Sequence, residues 1–383
     1  MYIHTDVFAF QSPKKLNQPC GDAYGVLRDL NATTIVLADG LGSGVKAHIA
    51  ANMCVARIKG LISEGASIRE AFKSLTDTMD KAWGSGDPFS VFTVARILNT
   101  GQATILSYEM PPPILINPVY AQILQDRVYT QKKAIIHESS CVLSKDEGIL
   151  LMSDGITQAG IGGKFLYGWE SEGVQRYIES KLTGDRVNGE DLVADVHAKG
   201  RSYWPADKGD DCSVVMGMNR RGVIVNLVCG PPKSPEQDYE FAMSFLRSEG
   251  IHIVCGGTTA KIIAKAVHKK LEVKESTNPV TPPAYKIEGF EMVTEGVVTL
   301  NQVYHLMDDA LTDLPMETVV GELAWYLRMA DRINIWEGTA SNLGHGQIEF
   351  KLQGIFNRSQ ILKELAQKLR DQGKLVVHTE WTG

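Results

Sequence analysis

The stretch Thr34 to Gly44, T-I-V-L-A-D-G-L-G-S-G, constrains this chain more than any other. Its apolar run of Ile35, Val36 and Leu37 reads as a buried strand. The strand delivers one carboxylate, Asp39, to its end, and Gly40, Gly42 and Gly44 follow at once. Glycine there permits tight turns and lets backbone atoms approach a ligand or ion closely. Val45 to Leu61 then carries apolar residues at helical spacing, namely Val45, Ile49, Met53, Ala56 and Leu61, which predicts a helix. Asp39 is thereby expected at a strand–turn–helix junction. An Asp-Gly pair is also an ordinary turn, so the stretch alone leaves both a turn and a site open.

A chain of 383 residues is too long for one ordinary core, so two domains are expected. A net charge of −6 and the lack of any Lys/Arg-rich run argue against a nucleic-acid surface. The six cysteines are scattered and form no CxxC pair, so neither a zinc ribbon nor a redox dithiol is signalled. The opening M-Y-I-H-T-D-V-F has no basic region followed by an apolar stretch, and no window is apolar enough to span a bilayer. The expected location is a reducing cytoplasm, with no membrane partner.

Tyr2 to Phe10 and Tyr24 to Leu30 are candidate strands on either side of a Lys-, Asn- and Pro-containing loop. Ser67 with Glu70 three residues on makes a capping box, which predicts a helix over Ile68 to Trp83, broken by Gly84 to Pro88. Phe89 to Leu98 and Gln102 to Tyr108 meet at Asn99-Thr100-Gly101, a hairpin signal. Val119 to Ile136 holds further short strands. Ile149 to Met152 is another buried strand, ending in Ser153-Asp154-Gly155. Helices are expected over Trp169 to Leu182 and Gly189 to Gly200, before Gly209-Asp210-Asp211 and the strand Cys212 to Met218. Many antiparallel-type strands with paired helices suggest a layered α+β sandwich over 1–220. Past Asn219 to Gly222 strands and helices alternate, which predicts a smaller α/β domain with a mostly parallel sheet over 221–383, containing a loop at Pro279, Pro282 and Pro283.

Acidic residues recur in one local setting. Asp39 and Asp154 each end an apolar strand before a glycine, Asp210-Asp211 precedes the next such strand, and Asp22 follows Gly21 before a weaker one. Hard divalent cations take oxygen ligands, often carboxylates. Two such ions about 3.5–4 Å apart can activate water and clamp a phosphoryl group. Turns alone remain the other explanation of the pattern.

Four segments in order carry a resemblance: G-D at Gly21-Asp22, A-D-G-L-G-S-G-V-K-A at Ala38 to Ala47, D-E-G-I-L-L-M-S-D-G-I-T-Q-A at Asp146 to Ala159, and G-D-D-C-S-V-V at Gly209 to Val215. Over roughly residues 1–220 the chain resembles the metal-dependent protein phosphatase 2C family, in its bacterial branch typified by the stage II sporulation protein E phosphatase. The resemblance implies a four-layer αββα sandwich, two antiparallel sheets flanked by helices. It also implies hydrolysis of phosphoserine and phosphothreonine with two ions, Mn2+ or Mg2+. Carried over, it makes Asp39 the ligand bridging both ions and gives Gly40 a carbonyl contact to one. Asp154 and Asp210 become ligands of the second ion, Asp22 acts at the edge through water, and Asp211 is the neighbouring ligand position. By kinship the substrate would be a phosphoprotein, such as a small anti-sigma-antagonist protein.

The departures are specific. Animal-type members carry a phosphate-binding arginine near the amino terminus, for which this sequence offers only Lys14 and Lys15 as conceivable substitutes. Gln158 occupies the place of an acidic residue that serves a third ion, and Glu109-Met110 replaces a Gly-His. His48, the histidine nearest Asp39 in sequence, reads as a helix-surface or core residue. In the second domain, strands end in glycine-bearing loops. Cys255 to Lys261, C-G-G-T-T-A-K, is its best anion-binding candidate and equally a plain helix start. A ligand-sensing role there is one expectation, and a homodimer surface at the apolar Trp325 to Asn342 stretch is another.

Overall fold

The computed structural model describes residues 2–42, 44–82, 89–131, 134–205, 209–274, 284–340 and 355–381. Ser43, Trp83, the Gly84–Pro88 breaker, Pro279, Pro282, Pro283 and the last two residues of the 325–342 run lie outside them. The chain divides into two compact units, Met1–Arg221 and Gly222–Gly383.

Unit 1 opens with β1 (Ile3–Ser12), β2 (Asp22–Arg28) and β3 (Ala32–Gly40), followed by helices α1 (Val45–Ser63) and α2 (Ile68–Ala82). The capping box forms as read: the Ser67 amide donates to Glu70 Oε2 at 2.8 Å, and the Glu70 amide to Ser67 Oγ at 3.2 Å. Strands β4 (Ser90–Leu98) and β5 (Gln102–Tyr108) make the expected hairpin, turning at Gly101 with φ +93°. Then come β6 (Ile114–Ile116), β7 (Ala121–Ile123), β8 (Arg127–Gln131), β9 (Ala134–Val142) and β10 (Gly148–Met152). Helices α3 (Asp154–Thr157), α4 (Glu170–Glu179) and α5 (Gly189–Arg201) precede β11 (Cys212–Arg221).

These strands form two antiparallel sheets, ordered β1-β11-β10-β6-β7 and β2-β3-β4-β5-β9-β8. Alternation along each strand sends side chains to opposite faces. Ile35 and Leu37 of β3 meet Ile149 and Leu151 of β10 and Val215 of β11 in one cluster between the sheets. Val36 and Ala38, on the other face, pack with Cys54, Ile58 and Phe72 of α1 and α2. Leu150 and Met152 pack outward against Ile156, Val174 and Val196 of α3, α4 and α5. The unit is therefore the four-layer αββα sandwich. The sheets approach closely: a Cβ on Gly217 would lie 2.7 Å from Ile35 Cδ1.

One reading is corrected. The residues at helical spacing in α1 do not form its core face. Val45, Ile49, Met53 and Ala56 are exposed, while Ala47, Ala50, Ala51, Cys54, Val55, Ile58 and Ile62 are buried. The end of β3 lies so near α1 that only small side chains fit between: a Cβ on Gly40 would sit 2.1 Å from the Ala47 carbonyl oxygen.

Unit 2 begins with β12 (Ile224–Cys229), α6 (Asp238–Leu246), β13 (Ile251–Cys255), α7 (Gly257–Ala266), β14 (Leu271–Lys274), β15 (Ala284–Ile287) and β16 (Met292–Thr294). It continues with α8 (Val297–Leu306), α9 (Val319–Met329), β17 (Arg332–Gly338), α10 (Arg358–Asp371) and β18 (Leu375–Trp381). Its seven-stranded sheet runs β14-β15-β16-β13-β12-β17-β18. The last five strands are parallel and the β14–β15 hairpin is an antiparallel edge, so the sheet is mostly parallel. Much of the 325–342 stretch is internal: Leu327, Ala330, Ile333 and Ile335 are buried in the unit's core. They supply a helix end and a central strand, leaving Trp325 and Met329 exposed. Among the described residues no helix is long and apolar enough to cross a membrane.

Candidate functional site

The same alternation that builds the intersheet core positions the acidic residues. Asp39 follows Ile35 and Leu37 on the inner face of β3, and Asp22 is its register partner across β2–β3. On the other sheet Ser153 continues the inner-face phase of β10, and Ser213 that of β11. Asp22 begins β2, Gly40 ends β3, Asp154 follows β10, and Asp210-Asp211 precede β11. Four chain-distant segments therefore meet at one end of the sandwich.

Asp22 is buried and accepts from Ser213 Oγ at 2.6 Å. Gln11 Nε2 donates to Ser213 Oγ at 2.8 Å, and the Ser213 amide donates to Ser153 Oγ at 3.0 Å. Burial pushes the Asp22 carboxyl up to about 7, against the lowering pull of Ser213 and Ser153. Its Oδ1 is buried with no hydrogen-bond partner among the described residues. Burial, then the charges of Asp22 and Asp154, pushes Asp39 up to about 10. Asp154 is raised chiefly by burial, while the hydrogen bond it shares with Asp39 lowers it. Like charges this near cannot all ionise without compensation.

Compensation comes from neighbours. Lys14 Nζ lies 3.5 Å from Asp210 Oδ1, and the Lys14 amide donates to Asp211 Oδ1 at 2.8 Å. The Asp211 amide donates to Asp210 Oδ1 at 3.0 Å, and Arg201 Nη1 to the Asp210 carbonyl at 3.3 Å. Gln158, where an acidic residue would serve a third ion, donates its amide to Asp154 Oδ2 at 2.9 Å. His48 Nδ1 bonds the Cys20 carbonyl at 2.8 Å, tying the approach to Asp22 onto α1. Glu109 has φ +56°, a region glycine occupies without strain. Among the described residues no side-chain hydrogen bond or ion pair ties Lys15 to the carboxylates.

Gly21 and Gly155 hold the segments close. A Cβ at Gly21 would meet Asp211 Oδ2 at 2.7 Å, and one at Gly155 the Asp211 carbonyl oxygen at 2.0 Å. Trp204 Nε1 donates to the Gly155 carbonyl at 2.8 Å. Motif reading missed Ser153, Ser213, Gln11 and Trp204 as partners of the carboxylates; the serine just before Asp154 and the serine two places after Asp211 were the available signals. Among the described residues no three His, Cys, Asp or Glu side chains are spaced to hold one ion. The carboxylates thus form an open neighbourhood, not a closed cage. A cation would relieve the orphaned Asp22 Oδ1 and the raised Asp39 carboxyl, and oxygen is the donor type that hard divalent ions take.

In unit 2, Cys229 and Cys255 are register partners at the carboxyl ends of β12 and β13, each followed by glycine. The N-cap glycines of α7 and α8 abut, with a Gly296 Cβ reaching 3.1 Å from Gly256 Cα.

Residues 30–216 match the family model for stage II sporulation protein E (SpoIIE). Three of the four motif segments lie inside that match and Gly21-Asp22 lies just before it. No curated protein matches the sequence. Among solved structures, the PP2C phosphatase domain with a regulatory-domain fragment of SpoIIE from Bacillus subtilis is 16% identical, with a TM-score of 0.48, over 57% of this chain and 64% of that one. The chain thus spans less than two thirds of that relative. The RsbU and RsbW domains of Rv1364c from Mycobacterium tuberculosis are 16% identical, with a TM-score of 0.49, over 70% and 73%. The SiaA PP2C domain of Pseudomonas aeruginosa is 16% identical, with a TM-score of 0.43, over 55% and 84%.

Proposed function

We propose, from the match of residues 30–216 to the stage II sporulation protein E family model, that unit 1 is a metal-dependent protein serine/threonine phosphatase of the protein phosphatase 2C type. The observation that carries this reading is the meeting of Asp22, Asp39, Asp154 and Asp210 from four distant segments, with one buried carboxylate oxygen unpartnered. Asp39, Asp154 and Asp210 are the residues to hold two divalent cations, with the Gly40 carbonyl beside Asp39 and with Asp22 and Asp211 at the edge. Bound there, Mn2+ or Mg2+ would supply a water acidic enough at neutral pH to attack phosphorus, and would offset phosphoryl charge. Ser213 and Ser153 fix Asp22 from below. Lys14, beside Asp210, sets a positive charge at the rim where a phosphate would enter. No nucleophilic side chain is required.

The substrate in this reading is a phosphoprotein, of the kind a small anti-sigma-antagonist represents, met in the cytoplasm. For unit 2 we assign a modulating role. The strand order changes direction between β12 and β17, the place where open α/β sheets take ligands. Turnover of p-nitrophenyl phosphate with and without Mn2+ tests the chemistry. Chelation and Asp39→Asn are each expected to abolish it. Turnover that survives both removes the mechanism.

A further inference from the structure

Helix α1 leaves a large apolar face in solvent. Val45, Ile49 and Met53 are 62%, 47% and 59% exposed, and Leu41 just ahead of the helix is 69% exposed. Residues four apart stand on one face of a helix, so these make a stripe. Single exposed apolar residues are ordinary, whereas a contiguous stripe marks an interaction surface.

The stripe starts at the rim of the carboxylate centre. Leu41 is two residues past Asp39. The first turn of α1 lies against Gly40, and Gln18 Oε1 comes within 3.2 Å of where a Gly44 Cβ would sit. The loop holding Lys14 and the exposed Leu16 therefore borders the same edge. The charge of the helix is one-sided as well. Its 19 residues include Lys46, His48, Arg57 and Lys59 and no Asp or Glu, in a chain whose net charge is −6. A second copy packed α1 to α1 would set the basic residues of one helix, Lys46 and Arg57, against those of the other, since a two-fold contact uses the same patch twice. An acidic partner meets no such repulsion.

We propose that this face of α1 docks an amphipathic, acidic segment of the phosphoprotein substrate and leads it to the carboxylate centre. The proposal rests on the phosphatase reading above, and it defines the substrate by the surface beside the phosphorylated residue.

Two readouts separate the two claims. Hydrolysis of p-nitrophenyl phosphate reports chemistry without docking. Fluorescence anisotropy with labelled, unphosphorylated helical peptides reports docking without chemistry. One probe carries a leucine stripe flanked by glutamates, and the other has the same composition with the leucines scattered. The full-length protein is expected to bind the striped peptide about tenfold more tightly, with the preference shrinking as salt rises. Ile49→Glu and Arg57→Glu are each expected to erase the preference while p-nitrophenyl phosphate turnover stays at the wild-type level. Equal binding of both peptides overturns the proposal, as does a wild-type dimer that Ile49→Glu converts to monomer in light scattering. Loss of p-nitrophenyl phosphate turnover in wild type defeats the phosphatase reading instead, and leaves the anisotropy result to judge docking.

Discussion

At the scale of single residues, Asp39 holds the sharpest tension between stability and function. Its carboxyl is pushed up to about 10 by burial and by Asp22 and Asp154. In the unfolded chain the same group titrates near ~3.9. The folded, cation-free protein therefore keeps a proton that the unfolded chain releases. By linkage, folding stability falls as pH rises from the unfolded value toward the folded one. Asn at this position keeps the shape and removes the titration. In EDTA, Asp39→Asn is expected to be more stable than wild type at pH 8, on the order of 1–3 kcal/mol after allowance for partial exposure. The gap should narrow at pH 5. Urea midpoints at the two pH values measure it, and parallel pH dependence in both proteins would contradict it. Added Mn2+ should then stabilise the wild type and leave the variant unmoved.

At the scale of elements, the sequence was legible wherever a local rule decided the outcome. The Ser67–Glu70 box, the hairpin at Gly101 and the strand endings at Asp39 and Asp154 each follow from a few neighbouring residues. Helix α1 was legible as a helix but not in its orientation. Both of its faces carry apolar residues, and periodicity picks out the bulkier one. What selects the small-residue face is the distance to β3, a tertiary fact. The β14–β15 edge hairpin went unread because short edge strands take their form from the sheet they join, whereas α9 went unread although Thr318 caps it, its side chain accepting from the Gly321 amide at 3.0 Å. Among the carboxylates, Asp39 and Asp154 were legible as strand-end residues because Asp before Gly there is a local pattern. Lys14, Ser213 and Gln158 were not legible as partners, since their contacts close only through the fold. The α1–β3 distance can be tested directly. Gly40→Ala forces a methyl into the Ala47 carbonyl at 2.1 Å. Overpacking of this kind costs about 1–3 kcal/mol, which a lowered melting temperature of the purified variant would register. An unchanged melting temperature would mean that the strand and helix separate freely.

At the scale of the whole molecule, the change of rhythm after Asn219 separates two kinds of construction. The three apolar clusters of unit 1 draw only on residues before 219, and the two of unit 2 only on residues after 223. Among the described residues the seven-stranded sheet is built only of strands from unit 2. Every residue assigned to the carboxylate centre, from Lys14 to Asp211, lies in unit 1, as do the serines and the amide that hold those carboxylates. A domain with its own core can fold alone, and the proposed chemistry draws on no residue outside unit 1. Met1–Arg221 expressed alone is therefore expected to unfold in one cooperative urea transition and to hydrolyse p-nitrophenyl phosphate with Mn2+ at a rate comparable to the full chain. Any ligand-dependent change in rate should vanish with unit 2. A fragment that folds but does not turn over would show that unit 2 supplies part of the centre, because cooperative unfolding would already exclude a broken core as the cause.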